Sequence, residues 1–161
     1  MARSREMIAG ALAGLAAGLV ASFVMERFQA ALPSPEGDED PATVKAADAL
    51  SRSSRGEPLD EREKVPAGEA VHYAFGAAVG LAYGVLARIE PRVTAASGLA
   101  MGVCVAMLAD EIAVPALGLG KPPAQTPSST HAYSLASHLV FGLVAERTRR
   151  AVVALLPDEA W

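Results

Sequence analysis

Between Gly98 and Pro115 the chain reads GLAMGVCVAMLADEIAVP, an apolar run with two adjacent carboxylates, Asp110 and Glu111, set inside it. Its length and hydropathy suit a helix that crosses a bilayer. A carboxylate in hydrocarbon costs about 3 kcal/mol on insertion scales, so such residues face a bundle interior and find partners there. The run therefore requires other helices to shelter the pair and polar groups on them to meet it.

The remainder of the chain supplies both. Three more apolar segments, IAGALAGLAAGLVASFVM, AVHYAFGAAVGLAYGVLA and HAYSLASHLVFGLVA, place spans at about 7–31, 69–88 and 130–150, with the acidic run at about 94–117. Overall 52% of residues are hydrophobic and 20% charged, with a mean hydropathy of +0.28, a balance typical of membrane chains. Irregular backbone is excluded from hydrocarbon, so each span is expected to be a helix, with short links making neighbours antiparallel. The expected fold is all-α: one integral membrane bundle of four transmembrane helices. Arg3 and Arg5 before Ile8 mimic a signal peptide, but the uncharged run to Met25 exceeds an ordinary h-region and reads as a retained span.

The polar stretch 33–68 is mostly acidic and is expected to be an extracytoplasmic loop. Asp40 followed by Pro41 reads as an N-cap with proline at the first helical position. Val44, Ala47 and Leu50 then predict a short amphipathic helix from Pro41 to Ser53, and Ser54–Pro66 reads as exposed loop. Residues 118–129 are a glycine- and proline-rich turn, and Trp161 suits the headgroup level. Arg3, Arg5, Arg88, Arg92, Arg147, Arg149 and Arg150 lie close to span ends on one side, which places both termini in the cytoplasm of a multi-pass inner-membrane protein. The other side has as many basic residues, but most are distant from a span.

A net charge of −4 without a Lys/Arg-rich run argues against nucleic acid as a partner. Cys104 alone can form no internal disulfide and reads as a small core or lipid-facing residue. The partners implied are the lipid bilayer and either a second copy or another membrane protein.

Each span carries small residues at every fourth position, a spacing that lets helix backbones approach closely. The stripes are Gly10, Gly14, Gly18, Ser22 and Glu26; His72, Gly76, Gly80 and Gly84; Gly98, Gly102, Ala106 and Asp110; and Ser134, His138, Gly142 and Glu146. With the topology above, Glu26, His72, Asp110, Glu111 and His138 all fall in the outer half of the bundle, as does His131. Pro115 has no N–H, so the carbonyl of Glu111 loses its partner four residues on, and the helix is expected to bend or open beside the acidic pair.

Two chemistries compete for this layer. Carboxylate and imidazole from four helices can bind a divalent metal or handle protons and sense acid, with Glu26, His72, Asp110, Glu111 and His138 as the candidate ligands. Paired His72 and His138 could instead ligate haem, a reading carried only by their similar depth. The alternative is a structural or accessory protein in which these residues only join helices, each hydrogen bond contributing around 1 kcal/mol. Neither G-x-S-x-G nor H-E-x-x-H occurs. His131, Ser134 and His138 share a helical face, but no oxyanion site accompanies them, so no enzyme activity is expected.

From the second segment onward, VHYAFGAAVGLAYGVLA, IAVPALGLGKPP and SLASHLVFGLVAERTRR resemble the YagU-like family of bacterial inner-membrane proteins, whose function is poorly defined. The resemblance implies a cytoplasmic-membrane protein and matches His72 and His138. It implies no reaction. Asp110 stands where a relative can carry histidine, which suits a polar cluster tolerant of exchange rather than a fixed ligand set.

Overall fold

The computed structural model describes residues 2–33, 35, 37 and 39–156, with side chains from residue 5 onward; the expectation for Trp161 lies outside them. All regular structure among these residues is helical, with no strand. Helix α1 spans Ala2–Ala30, α2 Ala42–Arg55, α3 Glu61–Ile89, α4 Leu99–Leu108, α5 Val114–Ala116 and α6 Ser128–Leu155. Short 3-10 segments at Pro91–Gly98 and Pro123–Gln125 and a π turn at Ala109–Ala113 complete the described elements.

Helix α1 is central, with α3 on one flank, α6 on the other, and α4 against the outside of α6. The small-residue stripes are the seams. A Cβ on Gly14 would stand 2.8 Å from the Cα of Gly84, and one on Gly84 2.7 Å from the Cα of Gly14. Gly102 and Gly142 do the same between α4 and α6, where a Cβ on Gly142 would lie 3.0 Å from the Gly102 Cα. The two pairs run antiparallel, since Gly10 faces Gly84 while Gly18 faces Gly76.

The packed interior is made of small residues, with Ala13, Ala17, Ala21 and Ala145 fully buried alongside Met25 and Phe141. Large apolar residues such as Leu12, Phe23, Phe75, Leu86, Leu108 and Ile112 are exposed instead. An apolar exterior around a small-residue interior is what helix packing in lipid produces, where backbone approach replaces hydrophobic burial as the cohesive term. Cys104 is exposed on the same kind of surface. Among the described residues, three helical stretches are long and apolar enough to cross a membrane: Arg5–Ala30, Glu61–Ile89 and Pro91–Ala116.

Three local expectations are corrected. Ser54–Pro66 is not one exposed loop, because α3 begins at Glu61 and carries Pro66 inside it. Asp60 starts the helix with a capping box: its carboxylate accepts from the Arg62 and Glu63 N–H groups at 2.9 Å, and Glu63 accepts from the Asp60 N–H at 3.1 Å. The amphipathic helix exists, burying Val44, Ala47 and Ser51, but Pro41 holds its N-cap position without a side-chain cap. Asp40 instead reaches Lys64 on α3 at 3.0 Å. The third span is not one continuous α-helix from position 94. Ala96, Ser97 and Gly98 all have positive φ (51°, 56° and 87°), and regular helix starts only at Leu99. Gly98 is obligatory there, since a Cβ would also meet the Glu146 Cβ at 2.8 Å.

Candidate polar site

The acidic pair lies in the π turn. The Val114 N–H bonds back five residues to the Ala109 carbonyl, so the helix opens by one residue just before Pro115, where the missing N–H forbids regular pairing. Both carboxylates then meet α6. The Ser134 hydroxyl donates to Asp110 Oδ2, and His138 Nδ1 lies 3.5 Å from the same oxygen. That nitrogen is 3.0 Å from the Ser134 carbonyl, which can only accept, so Nδ1 carries the proton.

Glu111 has a different partner. His131 Nδ1 is 2.6 Å from Glu111 Oε1, and Nε2 of the same ring is 3.2 Å from the Pro123 carbonyl. The carbonyl fixes a proton on Nε2. A second proton must then sit between Nδ1 and the carboxylate, because two lone pairs cannot hydrogen-bond. The pair holds one proton more than a neutral imidazole beside a free carboxylate.

Glu26 and His72 form a second polar patch, between α1 and α3. The Tyr73 hydroxyl donates to Glu26 Oε2 at 2.7 Å, and Arg27 pairs with Oε1. His72 Nε2 donates to the Ser22 carbonyl at 3.2 Å.

Glu26, His72, Asp110 and His138 all line one cavity of 570 Å³ between α3 and α4, over α1 and α6, with the start of α2 along its edge. Glu111 does not line it. It borders a neighbouring cavity of 260 Å³ with His131, Lys121 and Ser134, and Asp110 stands in the wall between the two. Among the described residues no group of three or more His, Cys, Asp or Glu converges to hold a metal ion. Asp110 and Glu111 each lie beside one imidazole of α6, whereas Glu26 and His72 are bonded to other groups.

His131 was foreseen in the outer layer but not as the partner of Glu111. The pairing depends on the π turn, which rotates Glu111 toward α6. Ser134 serves Asp110 rather than a histidine, so the His131–Ser134 juxtaposition is not a nucleophile–base pair. A second cluster escaped the sequence reading altogether. Glu146, fully buried near the far end of α6, accepts from the Tyr83 hydroxyl at 2.8 Å, from Arg149 at 2.8 and 2.9 Å and from Arg150 at 2.5 Å. Its signal was present: Glu146, Arg149 and Arg150 stand at i, i+3 and i+4 on one helix face.

A family model described as a protein of unknown function (DUF1440) matches residues 55–147. That match includes α3, α4, the π turn and the paired part of α6, and excludes α1 and most of α2. No curated protein and no solved structure matches the chain.

Proposed function

The chain belongs to the DUF1440 family, whose function is unknown, and on that premise we propose that it is a small bacterial inner-membrane protein of the YagU-like type, with four spans and an accessory or stress-related role, whose carboxylate–imidazole pairs exchange protons near the periplasmic side. In this reading α6 is the fourth span, snorkelling its arginines at the cytoplasmic end. Both termini are cytoplasmic, and the stretch 33–68 with α2 faces the periplasm.

The observation that carries the proposal is the 2.6 Å approach of His131 Nδ1 to Glu111 Oε1 while Nε2 of the same ring faces the Pro123 carbonyl. Asp110 and His138 form a second, looser carboxylate–imidazole pair, 3.5 Å apart and two turns further along α6, and Asp110 and Lys121 border the same small cavity as the first pair. Histidine is the side chain whose ordinary titration falls nearest neutral pH, so such pairs answer to changes in periplasmic acidity. Pairs also suit proton exchange better than a divalent metal or haem, which needs a converging set of ligands.

The test is a pH titration of ¹⁵N-histidine side-chain signals in lipid nanodiscs. Glu111→Gln should displace the titration of His131 while leaving the His72 signals unchanged. A His131 titration identical in wild type and Glu111→Gln would leave these residues as helix-joining contacts only.

A further inference from the structure

We infer that the 570 Å³ cavity between α3 and α4 is a binding site for a lipophilic cation, a bulky apolar molecule carrying one positive or hydrogen-bond-donating group. This goes beyond proton exchange at the pairs and does not depend on it. The volume falls in the range of pockets that hold drug-sized guests, roughly 300–1,000 Å³. Its walls are largely apolar, with Met25, Phe75, Val105, Val114, Leu117 and Phe141 among them. A wholly polar guest would leave these walls unmatched.

The polar edge decides the charge. Four carboxylates line the cavity, Glu26, Asp40, Glu69 and Asp110, against the single cation Lys64. Glu26 is ion-paired with Arg27 and Asp40 with Lys64; Glu69 also acts on Arg27 through space, and Asp110 has no Lys or Arg partner among the described residues. His72 commits Nε2 to the Ser22 carbonyl and His138 commits Nδ1 to the Ser134 carbonyl, so neither bonded N–H is left to recognise an anion. An edge dominated by carboxylates calls for a guest that donates or is cationic.

A second, independent observation points the same way. Ser22 lies on the cavity wall, and its hydroxyl, fully buried against Gly76, has no hydrogen-bond partner. A buried unpaired hydroxyl is costly, and this one stands beside the cavity. The π turn forms part of the same wall, and such turns recur at functional sites.

The experiment uses the full chain in phosphatidylcholine nanodiscs at neutral pH, with equilibrium dialysis of tetraphenylphosphonium and of tetraphenylborate, a cation and an anion of similar size and apolarity. Saturable one-to-one binding of the cation above protein-free discs, without such binding of the anion, is expected. Asp110→Asn should weaken it about tenfold, the order expected for removing one charge near a cation in a partly apolar site. Glu69→Gln is the companion variant should Asp110→Asn fail to fold. Ala113→Phe, which fills the cavity from the π turn, should abolish binding with helix content unchanged. Equal uptake of both ions, uptake no greater than by protein-free discs, or full affinity in folded Asp110→Asn or Glu69→Gln would overturn the inference. So would a phospholipid acyl chain retained in the cavity by native mass spectrometry and not displaced by the cation. The histidine titration is read without any added cation, so either proposal can fail while the other stands.

Discussion

Replacing Glu146 by leucine is expected to be among the most damaging single changes in the bundle. The carboxylate is fully buried, and its donors differ in how much they contribute. Arg150 has a side chain 57% exposed, so its share is screened and small. Arg149 is only 12% exposed and Tyr83 only 4%, so both lose a bonded acceptor with no water to replace it. Breaking a buried charge pair by deleting one partner costs about 3–5 kcal/mol, most of it from the orphaned charge. The double variant Glu146→Leu with Arg149→Leu removes that orphan and leaves the Tyr83 hydroxyl as the one buried donor of the cluster unpaired, a cost of about 1–3 kcal/mol. The assay is reversible unfolding in mixed detergent micelles followed by far-UV circular dichroism, run as a double-mutant cycle. A single variant costing under about 1 kcal/mol, or a double variant no more stable than Glu146→Leu alone, would refute the assignment of stability to this cluster.

Two further outcomes follow from the packing. Gly80→Leu forces side-chain atoms into the α1 backbone at Gly14 and Gly18, where there is space for none. Loss of the α1–α3 seam is expected, seen as failure to recover monodisperse protein, whereas Leu86→Ala on the exposed face should be recovered normally. The second concerns acid. The Arg52 side chain, and after it the Leu59 N–H, hold the Asp48 carboxyl below its ordinary value of 3.8. A depressed carboxyl contributes its stabilisation fully above the ordinary value and loses it as pH falls through the lowered one. The α2–α3 connection at 56–60 should therefore resist protease from neutral pH down to that range and open below it, and Asp48→Asn should be cleaved faster already at neutral pH.

The parts of the fold that were legible in the sequence rest on short-range rules. Glycine at every fourth position announced the seams because close backbone approach admits nothing larger. Pro115 announced the opening of the helix because its missing N–H acts on the carbonyl four residues earlier. The start of α3 lies hidden inside the stretch Ser54–Pro66 that reads as exposed loop, although Asp60 and Glu63 stand at capping-box spacing. The interruption at Ala96–Gly98 had only one glycine to signal it; Ala96 and Ser97 also take positive φ, a conformation neither residue type favours. The site divides along the same line. That Glu26, His72, Asp110 and His138 border one cavity followed from depth along antiparallel helices. That Glu111 belongs with His131 depends on a one-residue change of helical phase, which sequence spacing cannot supply.

The interrupted third span has a consequence of its own. Its regular helix has 10 residues, about 15 Å at 1.5 Å per residue, roughly half of a hydrocarbon core of about 30 Å. The rest of that thickness is crossed by the left-handed break on one side and the π turn on the other. Neither continues the regular α-helical bonding, whereas α1 and α3 are uninterrupted helices of 29 residues each. On the proposed membrane reading, bilayer thickness would become an input to the site: a thicker membrane would strain the third span first, and the strain would fall on the turn that carries Asp110 and Glu111.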